Sequence, residues 1–256
     1  MRNLKIVSYN LRCSYDGDGI NSFIHRAGLI YDKVLQEKPE VIAFQEVTEP
    51  ILPVLERLMS EYQFVGQFRN DDYRGEGIYT AIRKDSIELL GLETVWLSPT
   101  PYLAGSRFPE QSACPRICVM TQLRAKESGE LFRVFNLHLD HISDEARVLG
   151  IQATMKFVEE YDAKRKLPVV ILGDFNARPE SSVIAFCNHY PGIREVSSEI
   201  PSSFHGFGKR EPEIKIDYIY VSEEWADKVQ WVVRWDDVHE GIYLSDHYPI
   251  CADVNL

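Results

Sequence analysis

The stretch VVILGDFNARP (169–179) decides how the chain is read. Val169 to Leu172 form an apolar run of the kind that makes a fully buried strand, and it ends in Asp174 and Asn176 with Pro179 just beyond. A buried carboxylate is costly unless something pairs with it. Side chains two apart in a strand point the same way, so Asp174 and Asn176 leave the sheet together, roughly 6–7 Å apart. The pair is either a turn cap or half of an active site.

Composition narrows the choice. The 256 residues are 45% hydrophobic and 11% aromatic, which suits a substantial core and a single domain over 1–256. No apolar run reaches the roughly 18 residues of a membrane span. The opening MRNLKIVSYNLR runs directly into a strand pattern without an apolar leader. A cytoplasmic location, with no membrane partner, is therefore expected. The five cysteines are Cys13, Cys114, Cys118, Cys187 and Cys251, and none forms a CxxC pair, so reduced and mostly buried thiols are expected. Lys and Arg number 28 against 39 Asp and Glu, a net charge of −11. That balance opposes a polyanion partner held by counterion release, although a local basic cleft with bound cations can invert the field.

Strand and helix patterns alternate on both sides of the opening stretch. Strands are expected at 5–11, 41–47, 77–84, 131–141, 216–222 and 247–254. Helices are expected at 21–36, at 48–62 behind a Thr48 cap, and from Ser143 onward, with Val148, Ile151, Met155 and Val158 at helical spacing. Many strands with few helices predict an α/β layered fold, two packed sheets with helices outside. The connections 96–116 and 197–215 are long enough to be functional.

Polar residues of one chemical flavour stand where these strands end. They are Asn10, Glu46, His138 with Asp140, Asp174 with Asn176, and Asp246 with His247; Asp217 joins them on the inner face of its strand. Each has a bland account singly: turn residue, helix-entry acid, core histidine, structural ion pair or cap. Their convergence is what a hard divalent cation and phosphoester chemistry require, with carboxylate oxygens for the metal and a carboxylate-held base for water.

SYNLR (8–12), FQEV (44–47), NLHLDH (136–141), LGDFNARP (172–179), IDYIYVS (216–222) and SDHYP (245–249) together resemble the ordered motifs of the endonuclease/exonuclease/phosphatase superfamily, deoxyribonuclease-I-like phosphoesterases, over essentially the whole chain. The resemblance implies a four-layered α/β sandwich, two mixed sheets flanked by helices, and Mg²⁺-dependent hydrolysis with Mn²⁺ as a possible substitute. It implies that Glu46 is the main metal ligand with Asn10 and Asp246 nearby. Asp217 would orient His247 as base or phosphate contact, and Asp174 would position water or protonate the leaving oxygen. Asn176 would donate to the phosphate, and His138 would help the leaving group. Arg12 stands where apurinic-site endonucleases of this superfamily carry an aspartate ligand; the NLR form is closer to small bacterial members and argues against base-excision repair. No long hydrophobic hairpin of the membrane-inserting kind is present.

Selectivity is expected in the long loops. Arg116, at the end of the first, is a candidate anion contact; Asp140 and His205 are further candidates on the substrate side. With a net charge of −11, the expected substrate is a small phosphorylated metabolite or a short oligonucleotide. An endo- or exonuclease on DNA or RNA is the alternative, and a non-catalytic phosphate-binding protein is the reading from a different class.

Overall fold

The computed structural model describes residues 3–256. Met1 and Arg2, at the head of the stretch read for a leader, lie outside the described residues. In chain order, β1 (Asn3–Asn10) leads through a 3-10 turn to α1 (Phe23–Glu37), β2 (Val41–Val47) and α2 (Leu52–Leu58). Then come β3 (Tyr62–Phe68), β4 (Gly77–Arg83), β5 (Ile87–Trp96), β6 (Ile117–Ala125) and β7 (Leu131–His138). The helix α3 (Asp144–Lys164), β8 (Val169–Asp174), α4 (Ser182–His189) and β9 (Ile193–Glu195) follow. The chain closes with β10 (Asp217–Ser222), a short α5 (Glu223–Ala226), β11 (Val229–Arg234), the hairpin β12 (Val238–His239) and β13 (Ile242–Tyr243), and β14 (Ile250–Asn255).

Two six-stranded sheets result, ordered β11-β14-β1-β2-β4-β3 and β5-β6-β7-β8-β10-β9. Both are mixed, with β1 parallel to β2 and β7 parallel to β8 among antiparallel neighbours. Strand alternation explains the layers. Leu4 and Ile6 of β1 meet Val134, Leu172 and Ile219 between the sheets. The opposite face of β1, Val7 and Tyr9, packs against Ala27, Ile30 and Val34 of α1 and Leu55 of α2. On the far side, Phe135, Leu137 and Ile171 pack against Ile151 and Met155 of α3 and Ile184 of α4. The expected four layers are thus present.

A polar tie crosses the inner layer. Gln45 Nε2 donates to Asn136 Oδ1 at 2.8 Å, and Asn136 Nδ2 donates to the carbonyls of Tyr79 and Phe44 at 3.2 and 3.3 Å. These buried bonds fix how one sheet sits on the other, although Gln45 Oε1 has no hydrogen-bond partner. The tie lies one residue below Glu46 and two below His138, so it sets the distance between the two halves of the cleft.

Several boundaries differ from expectation. The helix expected over 48–62 is only Leu52–Leu58, because Tyr62 enters β3 opposite Arg83 and strand pairing outweighs helical spacing. The strand expected over 131–141 stops at His138. Elements beyond those expected include β3, β5, β6, β11 and α4; β5 and β11 are edge strands with Leu90, Leu92, Trp231 and Val233 exposed, which blurs their alternation. The helix beginning at Ser143 forms as expected, with the Ser143 hydroxyl accepting from Ala146 N at 3.1 Å. All five cysteines are free, three of them buried. Among the described residues, no helix is long and apolar enough to cross a membrane.

Candidate active site

Sheet register assembles the centre of the site. Asp174, the last residue of β8, pairs with His138 on parallel β7 and with Asp217 on antiparallel β10. These three side chains therefore form one row across adjacent strands, buried to 6% exposure or less. Asp174 Oδ2 lies 3.4 Å from His138 Nε2 and 3.9 Å from His247 Nε2. His247 is placed by the turn before β14 and donates from Nδ1 to Asp217 Oδ2 at 2.8 Å. The Asp217 backbone N–H is in turn held by Ser203 Oγ at 3.0 Å.

The other sheet supplies the second half. Asn10 Nδ2 donates to Glu46 Oε1 and to Asp174 Oδ2, both at 3.0 Å, and so bridges the sheets. Its oxygen accepts the Arg12 N–H at 2.9 Å. Asn10, expected among the metal ligands, thus turns its amide nitrogen toward the carboxylates and holds them together. Glu46 Oε2 accepts the Cys13 N–H at 2.9 Å. Beneath this turn, the buried Arg26 guanidinium donates to the carbonyls of Asn21, Leu11, Leu244 and Arg12 at 2.6–3.2 Å, fastening the Arg12 turn to the segment that carries Asp246 and His247.

Backbone strain gathers here. Arg12, Glu46 and Asn176 have φ of 58°, 58° and 50°, and all three line the cleft. Non-glycine residues rarely adopt this left-handed region, which persists where surrounding structure enforces it. At Asn176 the cause is visible: its N–H is held by Asp174 Oδ1 at 2.8 Å and its Nδ2 by the Leu139 carbonyl at 3.0 Å. One amide hydrogen of Asn176 remains for a ligand.

The cleft encloses about 640 Å³. Glu46, Glu76, Asp174 and Asp246 line it with Arg12, Arg69, Arg116, Arg178 and Arg210, so a chain of net charge −11 carries a locally cationic groove. Burial raises Asp174, and the Asp217 charge adds to it; despite His247 and the Asn176 N–H the carboxyl reaches about 7. Burial alone would lower His247, but the charge and hydrogen bond of Asp217, helped by Asp174 and Asp246, lift it to about 10. His138 goes the other way, well below the ordinary histidine value, through burial and the nearby Arg116 and Arg69 charges. Burial would raise Glu46, yet the His247 charge and the Cys13 and Asn10 hydrogen bonds outweigh it and keep Glu46 low.

These features fit a hard divalent cation. Ligand atoms of Glu46, His138 and Asp174 lie within 4.8 Å of one another, slightly above the roughly 4 Å that opposite ligands of an octahedral Mg²⁺ span. Burial lifts Glu76 and Asp246, and the Glu46 charge lifts both further. A dication relieves such crowding of carboxylates.

Arg116, the candidate anion contact, lines the cleft at 4% exposure. Its Nη2 meets His141 Nδ1 at 3.0 Å, while Nε and Nη1 are buried without a hydrogen-bond partner. Asp140 and His205, expected on the substrate side, are not among the residues that line the cleft. Because β7 ends at His138, Asp140 leaves the strand face; it accepts the Ile142 and Ser143 N–H groups at 3.0 and 2.8 Å and the Ser112 hydroxyl, tying the long loop to the start of α3. His205 is buried behind the cleft, stacked on Tyr248 with centroids 4.0 Å apart, and accepts the Gly208 N–H. Arg69 and Glu76 line the cleft without any signal in the sequence, since they sit at the end of a hairpin whose direction only the fold defines; His141 and Arg178 line it from within the motifs NLHLDH and LGDFNARP, where neither was singled out.

The profile of the Endonuclease/Exonuclease/phosphatase family matches residues 7–247. The chain belongs to this family. Members of the Endonuclease/Exonuclease/phosphatase family are hydrolases acting on phosphoester bonds. A solved family protein from Bacteroides vulgatus superposes with a TM-score of 0.91 at 25% identity, covering 100% of both chains. A mannosyl-6-phosphatase from Bacteroides thetaiotaomicron superposes at 0.89 with 24% identity, over 99% of this chain and 100% of that one, a likeness of fold. Nocturnin of Drosophila melanogaster is 26% identical over 181 residues, 63% of this chain; the match spans 25% of that relative's length.

Proposed function

We propose that this family member is a Mg²⁺-dependent phosphoester hydrolase, with Mn²⁺ as substitute, acting on a small phosphorylated molecule or short oligonucleotide. The observation that carries the reading is geometric: buried Asp174 lies 3.9 Å from His247, which donates to Asp217 at 2.8 Å, and Asn10 ties Asp174 to Glu46. A carboxyl so placed can accept a proton from water or return one to a leaving oxygen. Protonated His247 and the spare Asn176 amide hydrogen are donors for a nonbridging phosphate oxygen. Neutral His138 stands beside the same carboxylate for the leaving group. Glu46 and Asp246 would hold the cation, with Asn10 fixing Glu46. A cation there supplies charge neutralisation and an acidified water.

Cleft size supports a small substrate. About 640 Å³ lies within the roughly 300–1,000 Å³ usual for small-molecule sites. The test is a panel of sugar phosphates, nucleotides, single-stranded oligonucleotides and duplex DNA, each with Mg²⁺ and with Mn²⁺. Turnover of small esters supports the reading; turnover of long nucleic acid alone replaces it with the nuclease, and tight binding without turnover replaces it with the non-catalytic phosphate binder.

A further inference from the structure

His205 stays out of the cleft, yet it grips the segment that carries His247 into it. The backbone N–H groups of His205 and Gly206 both donate to the Asp246 carbonyl, at 3.0 and 3.1 Å. That oxygen belongs to the peptide unit joining Asp246 to His247, and the unit is planar. Two donors on the oxygen therefore fix the plane from which the His247 side chain leaves to meet Asp217. Consecutive N–H groups converge on one oxygen where the backbone curls into a concave turn.

The curl here is a left-handed one. Gly206, Phe207 and Gly208 follow one another with φ of 58°, 57° and 70°. Residues with a Cβ enter this region singly and at a cost, so a run that includes Phe207 needs a hold from outside the backbone. The His205 imidazole supplies it. Nδ1 accepts the Gly208 N–H at 3.0 Å, which closes the turn with the ring in its neutral form and the proton on Nε2. The ring is 1% exposed and packs on Tyr248 and Tyr243, with centroids 4.0 and 4.9 Å away. Phe207 lies 5.7 Å from the Arg26 guanidinium, which also bonds the Leu244 carbonyl. The turn is thus tied to SDHYP (245–249) from the residue before it, Leu244, and from within it, at Asp246 and Tyr248. Filling the space beside Tyr248 would require only a ring; the placed nitrogen serves the turn.

Resting on the phosphoesterase reading, we infer that His205 is a positioning residue: its Nδ1 holds the left-handed turn, and the turn, through the Asp246 carbonyl, aims His247 at the reacting phosphate. Two substitutions separate the nitrogen from the ring. His205→Asn sets an amide oxygen close to where Nδ1 stands and gives up the stack; His205→Phe keeps the stack and gives up the acceptor. Both are measured for urea unfolding, for kcat and KM with Mg²⁺ on the fastest ester of the panel, and for the His247 ring signals by NMR without substrate. The Asn variant should unfold at lower urea yet keep kcat within about three-fold of the unaltered protein. The Phe variant should lose about ten-fold or more in kcat with KM within about two-fold, because the loss falls on the transition state. His247 signals should move in the Phe variant and stay in the Asn variant. Should the Phe variant fail to fold, His205→Gln, whose oxygen lies one methylene farther out, carries the same expectation. Rates that follow stability, with Asn slow and Phe unimpaired, overturn the inference and leave the ring a packing role; equal losses in both variants overturn it too. If the unaltered protein turns over no ester, the phosphoesterase reading fails, and the His247 signals alone decide whether the nitrogen holds His247.

Discussion

Asp217→Asn changes the electrostatics of the site while nearly preserving its shape. In the cation-free protein His247 stands at about 10 against an ordinary 6.5. At about 1.4 kcal/mol per pH unit, that gap corresponds to roughly 4–5 kcal/mol favouring the protonated form. Asp217 is the largest contributor to the rise, so its neutralisation removes most of the gap, and burial then drives the imidazole toward its neutral form. The folded value lies above the unfolded one. The pair therefore stabilises the fold fully below about pH 6.5, and that stability is lost as pH rises through about 10. Urea unfolding of both proteins across pH 5–10 should show the variant less stable by a few kcal/mol at pH 5–6, with the difference closing toward pH 10. The imidazole titration, followed by NMR, should move down by two pH units or more. With Mg²⁺ present, kcat should fall about 10²–10⁴-fold, as loss of a positioned proton donor does. A variant whose His247 still titrates near 10, or a stability difference that is flat across this range, would refute the reasoning.

Three further perturbations probe other parts of the site. Chelation by EDTA should abolish hydrolysis and Mg²⁺ or Mn²⁺ should restore it, while Glu46→Gln should raise the Mg²⁺ concentration for half-maximal rate about ten-fold or more; full activity in metal-stripped protein would remove Glu46 from its role. Arg116→Ala should raise KM more than it lowers kcat, and the log–log salt slope of binding should be shallower than roughly −2, since few phosphates are engaged; steep salt dependence with long duplex DNA, indifferent to Arg116, would promote the nuclease reading. Arg26→Met should cost about 2–4 kcal/mol in urea unfolding by leaving buried carbonyls unpaired, and an unchanged midpoint would show that water replaces the guanidinium.

Much of this arrangement is legible in the sequence because its causes are local. Val169–Leu172 reads as a buried strand, and the polar residues that follow it, or stand at the ends of neighbouring strands, cannot be paid for by solvent. Hence Glu46, Asp174, Asp217 and His247 stand out before any coordinates. What escaped depends on distance relations that one chain position does not encode. The alternation through NLHLDH extends to Asp140 on paper, but the strand stops two residues earlier and Asp140 serves a helix start. Arg69 and Glu76 face the cleft only because β3 and β4 form a hairpin whose connecting end points there. The position of Asn10 is legible, but the direction of its amide is not, since the Arg12 N–H that claims its oxygen comes from a left-handed turn. His205 looked like a neighbour of cations in FHGFGKR, yet it turns inward to stack on Tyr248.

The row formed by His138, Asp174 and Asp217 has a consequence for how such a protein can change over generations. Its spacing is set by backbone ladders shared by three central strands, not by the loops above it. A slip of one residue in either ladder would point one member away and leave nothing half-working, so the row is inherited whole or lost. The segments 97–116 and 197–215 contribute nothing to those ladders among the described residues. The first of them is free to lengthen, shorten or exchange residues without moving the row, whereas the second is tied to it, since Ser203 Oγ holds the Asp217 N–H and Phe204 packs on His247. Variation in this fold therefore has one loop open to it and one that must keep its grip on the sheet.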